Sequence, residues 1–169
     1  DLHHPCQAVA DLFTILQKRG KLAGLKLAYV GDGNNVAHSL IEACAVTGMH
    51  ISLACPEGYD PNAAIVKGAK EEAAISGAEI EVLRDPVAAV KDADVVYTDV
   101  WASMGQEQEH AKRVTAFKGF QVDAALMKNA GIVRNRLKIE SSVTNAAAFL
   151  AVQAEFGGFA GYLWRFVGG

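Results

Sequence analysis

The stretch LKLAYVGDGNNVAHSLI, residues 25–41, constrains this chain more than any other. Leu25, Leu27, Tyr29 and Val30 form a short apolar run that Gly31, Asp32 and Gly33 interrupt, and Val36, Ala37, Leu40, Ile41 and Cys44 then recur at helical spacing. A strand, a glycine turn and a helix make the first unit of a doubly wound α/β domain, which places its binding groups at the carboxyl ends of parallel strands. The glycines permit the turn, and the first free amides of the helix face the sheet edge, where they can meet an anion or a polar group. Gly31 to Asn35 is therefore the first place to look for chemistry.

The same alternation continues on both sides. Before the unit, Pro5 suits a first helical position, and Ala8, Leu12, Ile15 and Leu16 follow at helical spacing until Gly20. After it, MHISLACP reads as a second strand stopped by Pro56, and Asn62 to Ser76 as a helix with Gly77 as its cap. EIEVL, residues 79–83, is a third strand of sheet-edge character, Asp85-Pro86 opens a turn or two of helix, and ADVVYT, residues 93–98, is a fourth strand. Strands separated by helical crossovers predict a three-layer, Rossmann-like α/β fold: a parallel sheet of about four strands with helices on both faces. The loop after Asp99 leads into a helix, and Val122, Leu126 and Met127 suggest another short one ended by Gly131. The fifth strand expected beyond that loop is missing, so the domain boundary falls near residue 130, and a C-terminal helical pair completes the chain.

A chain of 169 residues, 51% hydrophobic and 21% charged, has enough apolar side chains for one sizeable core. Its formal net charge of -3 gives no electrostatic reason to expect a nucleic-acid partner. No apolar run approaches the roughly 20 residues that span a bilayer, so no membrane partner is expected either. Cys6, Cys44 and Cys55 sit in apolar patterns without a CxxC spacing, which favours buried thiols in a reducing, cytoplasmic compartment.

Three groups converge if the strands form one sheet: His3, His4 and Gln7 at the first helix; Asp32, Asn34 and Asn35 at the glycine turn; and Asp99, Ser103, Met104 and Gly105 after the fourth strand. Asp99 can hold an ammonium, Asn35 offers an amide to an amino-acid head group, and His4 and Gln7 can donate to a carbonyl or phosphoryl oxygen. Each has a bland alternative, as a helix cap, a strand terminator or an exposed histidine. The turn lacks the third glycine of a dinucleotide fingerprint and the GK[ST] of a phosphate loop. There is no GxSxG, and His3, His4 and Cys6 lack a distant fourth ligand, so neither a metal nor a cofactor is expected.

HHPCQAVADLFTI, LKLAYVGDGNNVAHSL and DVVYTDVWASMGQE, in this order, resemble the second, amino-acid-binding domain of ornithine carbamoyltransferases over residues 1–129. The resemblance implies that His4 and Gln7 contact the carbamoyl group of carbamoyl phosphate, and that Asn35, Asp99, Ser103 and Met104 hold ornithine. The family reaction is attack of ornithine's terminal amine on carbamoyl phosphate, giving citrulline and phosphate without metal or cofactor, in a cleft between two domains and usually in a trimer. The family's SxRTR phosphate-binding motif and its HCLP segment are not in this sequence, and without such arginines the charge on the leaving group is unopposed.

Residues 130–169, through their AGIxRxRxKI and FxxYLWxFVGG patterns, are similar to an internal helical segment of type I DNA-3-methyladenine glycosylases. That enzyme's base pocket, DNA-gripping hairpin and zinc ligands are not represented. The two resemblances together suggest an artificial chimera. Residues 1–129 would be a truncated carbamoyltransferase-like α/β domain, on which a helical segment, 130–169, packs through Ile139, Val143, Leu150, Phe159 and Trp164. Each such side chain is worth roughly 1.5 to 3 kcal/mol when buried. The expectation is a folded scaffold with no natural catalytic activity and no catalytic residues, prone to self-association or helix swapping. The alternatives are a remnant ornithine carbamoyltransferase and a weak ornithine- or anion-binding module.

Overall fold

The computed structural model describes residues 2–101 and 110–130. All of them belong to the first of the two units into which the chain divides, residues 1–132. The elements are α1 (Pro5–Arg19), β1 (Lys26–Val30), α2 (Asn35–Thr47), β2 (His50–Ala54), α3 (Ala63–Ser76), β3 (Ile80–Leu83), α4 (Pro86–Val90), β4 (Val95–Thr98) and α5 (His110–Ala116), followed by a 3-10 turn at Leu126–Asn129.

The four strands are parallel, in the order β3-β2-β1-β4. From β1 the chain moves outward through β2 to β3, then returns across the sheet to place β4 on the other side of β1. The topological switch thus lies between β1 and β4, with Leu27 beside Val95 and Val30 beside Thr98. Two apolar clusters lie on the sheet. One gathers Leu27, Tyr29, Ile51 and Leu53 with α1, α2 and α3, and the other gathers Ala28, Val30 and Ala54 with α4 and the 3-10 turn. Strand residues therefore alternate between two covered faces, the expected three-layer arrangement.

Local chemistry sets the boundaries. Asn34 caps α2 by accepting from the Val36 and Ala37 amides at 3.0 and 3.1 Å, Asn62 does the same for α3, and Asp85 for α4. Gly20, Gly48 and Gly77 close α1, α2 and α3 in the left-handed region, where a side chain is strained. Pro5 stands in the first turn of α1, and that helix ends with Lys18 and Arg19 complementing its dipole.

Several sequence expectations are corrected. Cys6 is exposed while Cys44 and Cys55 are fully buried, because α1 turns only Ala8, Leu12 and Ile15 fully inward. Leu16 is exposed for the same reason, as are Val9 and Phe13, and together with Val46 of α2 they line an open apolar groove. The helix suggested around Val122 and Leu126 is a single 3-10 turn, started by the Asp123 carboxylate accepting from the Ala125 and Leu126 amides. The helical pair and its contacts at Ile139, Val143, Leu150, Phe159 and Trp164 lie outside the described residues. Among those described, no helix is long and apolar enough to cross a membrane.

Candidate active site

At the carboxyl end of β1 the glycine turn is shaped by backbone crowding. The Gly33 amide donates to the Tyr59 carbonyl at 2.9 Å, and a Cβ on Gly33 would fall 2.2 Å from the Pro61 nitrogen. Glycine at this position is thus required by the loop that follows β2. Tyr29, buried in β1, donates its hydroxyl to the Asp32 carbonyl at 2.8 Å. Burial, reinforced by the Asp99 carboxylate, raises its pKa far above the usual phenol range, so it acts as a fixed donor.

The loop after β4 meets this turn. Asn34 Nδ2 donates to Asp99 Oδ2 at 3.1 Å, while Asp99 Oδ1 accepts from the Val100 amide at 2.8 Å. Asn34 therefore uses its oxygen as a helix cap and its nitrogen as a tether to Asp99. Asn35, the first residue of α2, stands beside it half-buried. The structure thus brings the turn and Asp99 together at the switch point of the sheet, and leaves the Asp99 carboxylate half-buried with two hydrogen-bond donors already in place. A carboxylate so held can accept further from an ammonium. Ser103, Met104 and Gly105 lie outside the described residues.

The start of α1 is attached to both neighbours. The His4 amide donates to Ser39 Oγ at 2.8 Å, and its side chain is exposed without a capping bond. Gln7 Nε2 donates to both carboxylate oxygens of Asp11, at 3.0 and 3.2 Å, and Asp11 also accepts the Tyr97 hydroxyl at 2.9 Å. Gln7 is thereby linked to β4, two residues before Asp99. Burial, and then the bond to Asp11, push the Tyr97 phenol upward. His3 reaches Glu42 at 3.3 Å and lies edge-on to His38. Among the described residues, no three His, Cys, Asp or Glu side chains gather as a metal would require.

Two residues of the rim escape sequence reasoning. His38, buried in α2, faces the Leu2 carbonyl with Nδ1 at 2.8 Å and accepts the Asn62 amide on Nε2 at 2.9 Å. These partners fix the neutral tautomer with its proton on Nδ1, and join the N-terminal segment to the loop preceding α3. Arg113 of α5 is 7% exposed and donates to Asp32 Oδ2 at 2.5 Å and to the Trp101 carbonyl at 2.9 Å. Its guanidinium lies 5.0 Å from the centre of the Tyr59 ring. The signal for Arg113 is an arginine in a helix facing an acid 81 residues earlier, a separation no local pattern reveals.

A family model described as aspartate/ornithine carbamoyltransferase, Asp/Orn binding domain, matches residues 23–135, and one described as methyladenine glycosylase matches residues 106–169. The ornithine carbamoyltransferases of Anoxybacillus flavithermus and Thermococcus kodakarensis are 59% and 57% identical over 130 residues, 77% of this chain and 41% of theirs. The solved ornithine carbamoyltransferase from Pyrococcus furiosus superposes with a TM-score of 0.73 at 55% identity, over 77% of this chain and 42% of that one. The one from Gloeobacter violaceus gives 0.70 at 51%, with the same coverage. The chain thus spans about two fifths of the length of the curated relatives it matches.

These matches correct the expectation of an artificial two-family chimera. The carbamoyltransferase similarity is one continuous match over 130 residues, and its family model runs past residue 129 to residue 135. The second model begins at 106, inside the first, so the two matches overlap over residues 106–135. The companion expectation, a scaffold with no natural activity, falls with it, since identity of 55% to 59% extends across the domain that carries Asn34, Asn35 and Asp99. The chain belongs to the aspartate/ornithine carbamoyltransferase family, through its Asp/Orn binding domain.

Proposed function

We propose that this chain supplies the amino-acid side of an ornithine carbamoyltransferase reaction, in which the terminal amine of ornithine attacks the carbamoyl carbon of carbamoyl phosphate. A carbon–nitrogen bond forms, the carbon–oxygen bond to phosphate breaks, the amine gives up a proton, and citrulline and inorganic phosphate leave. Asp99 holds the amino-acid ammonium, with Asn35, Ser103 and Met104 completing the ornithine site. His4 and Gln7 donate to the carbamoyl oxygen, where negative charge grows as the amine attacks. The buried free thiols Cys44 and Cys55 support a reducing, cytoplasmic setting.

The observation that carries the reading is the Asp99 carboxylate, oriented by Asn34 and the Val100 amide at the switch between β1 and β4. Its orientation is set before ligand arrives, which lowers the entropic cost of capturing a flexible diamino acid. The test is calorimetric titration of ornithine into the chain and into Asp99→Ala, paired with citrulline formation from ornithine and carbamoyl phosphate. Ornithine binding that weakens at least tenfold in the variant, with a matching loss of citrulline, supports the role. Equal heats in both proteins, or a citrulline rate that Asp99→Ala does not lower, refutes it.

A further inference from the structure

Among the described residues, two cross-links join the glycine turn to the loop after β4. The first is Asn34 to Asp99, at 3.1 Å. The second is Arg113, whose guanidinium binds the Asp32 carboxylate and the Trp101 carbonyl together. Asp32 and Asn34 flank Gly33, and Trp101 follows Asp99 by two residues, so the links lie on either side of Gly33 and within two residues of Asp99. The arginine is closed in from several directions: Tyr59 lies against its guanidinium, Phe117 packs edge-on to Tyr59 at 4.9 Å, and Trp101 stacks on Phe117 at 5.8 Å. Asp32 is itself only 14% exposed in its side chain, so the pair is shielded from the solvent that weakens surface ion pairs.

We infer that Arg113 is a positioning residue for the proposed ornithine site: by clamping the Trp101 backbone to Asp32, it holds the chain beside Asp99 in one arrangement against the glycine turn, and so sets which diamino acid the site prefers. This rests on the ornithine reading above. A planar guanidinium can serve a carboxylate and a carbonyl at once, in fixed directions. Lysine keeps the charge but offers one rotatable ammonium, so Arg113→Lys preserves the local electrostatics and loosens the geometry. Asp32→Asn keeps the shape of the partner and removes its charge. The two substitutions weaken the same link from opposite ends.

The readouts separate positioning from mere support. Binding of ornithine is compared with that of its homologues one methylene shorter and one longer, in the unaltered chain, in Arg113→Lys and in Asp32→Asn. In a Trp164→Phe background, acrylamide quenching then reports on Trp101 alone. The clamp predicts that quenching rises at least twofold in the variants and that preference for ornithine over its homologues falls about tenfold. Unchanged quenching in both variants overturns the clamp. Increased quenching with an unchanged preference also overturns the inference, because Arg113 would then support the loop without setting the site's selectivity. Absence of ornithine binding by the unaltered chain overturns the underlying functional reading and the inference with it. Should Arg113→Lys fail to fold, Asp32→Asn decides the matter by the same two measurements.

Discussion

Replacing Gly33 with alanine adds one methyl group at a place where no room exists. The new carbon would lie 2.2 Å from the Pro61 nitrogen, 2.4 Å from the Asp60 carbonyl carbon and 2.7 Å from the Pro61 Cα, whereas ordinary contact begins near 3.4 Å. All three are backbone atoms, so relief requires the loop to retreat by about 1.2 Å (3.4 less 2.2) rather than a side chain to rotate. That retreat stretches the Gly33 to Tyr59 hydrogen bond and the Asn62 to His38 bond just beyond. Each is worth about 1 kcal/mol, and overpacking adds roughly 1 to 3, so the expected loss is roughly 3 to 5 kcal/mol. Alanine's lower freedom in the unfolded chain returns less than about 1 kcal/mol, so crowding wins. Gly68 supplies the contrast: it lies within α3 with nothing within 4 Å of its prospective Cβ, and alanine there stabilises by up to about 1 kcal/mol. Urea unfolding followed by circular dichroism measures both variants. For a chain of this size the Gly33→Ala loss lowers Tm by about 10 °C. A Gly33→Ala protein within 1 kcal/mol of the unaltered chain refutes the crowding argument, and a Gly68→Ala protein that is less stable refutes its complement.

Burial pushes the Cys44 thiol up to about 12, and burial with the nearby Asp60 and Asp32 carboxylates does the same for Cys55. Below pH 9 both states keep these protons; between about pH 9 and 12 the unfolded chain releases them and the folded one does not. Stability therefore falls with rising pH by roughly 1.4 kcal/mol per unit for each thiol. Urea midpoints measured from pH 8 to 11 check this, and a flat profile contradicts it. Cys44→Ala with Cys55→Ala removes most of the slope. Asn34→Ala deletes both the α2 cap and the Asp99 tether, and should lose about 1 to 2 kcal/mol together with ornithine affinity. Full stability with full affinity in that variant contradicts both roles.

The strand–turn–helix unit was legible because its determinants are local: Leu27, Tyr29 and Val30 alternate into two covered faces, and Asn34, Asn62 and Asp85 stand one residue ahead of the helices they cap. The meeting of the turn with Asp99 was also foreseen, since parallel topology puts both at one edge. What sequence could not show is how loops press on each other. Gly33 reads as a residue that permits a turn, yet its demand comes from Pro61, a neighbour only in space. Leu16 matches the apolar period of α1, yet falls on the margin of the stripe and stays exposed. Arg113 carries no pattern at all. The chimera reading failed for a related reason: short motifs locate their own residues but say nothing of how far similarity runs between them.

The return of the chain to place β4 beside β1 has a kinetic consequence. Leu27 finds Ile51 across a modest loop, but meets Val95 only after the whole excursion through β2 and β3 has closed. Loop-closure entropy makes the second pairing the slower one. The glycine turn is thus assembled early, and the cleft exists only once the last strand docks. Because that docking is the slow step, a substitution that weakens the β1–β4 pairing slows folding more than it speeds unfolding.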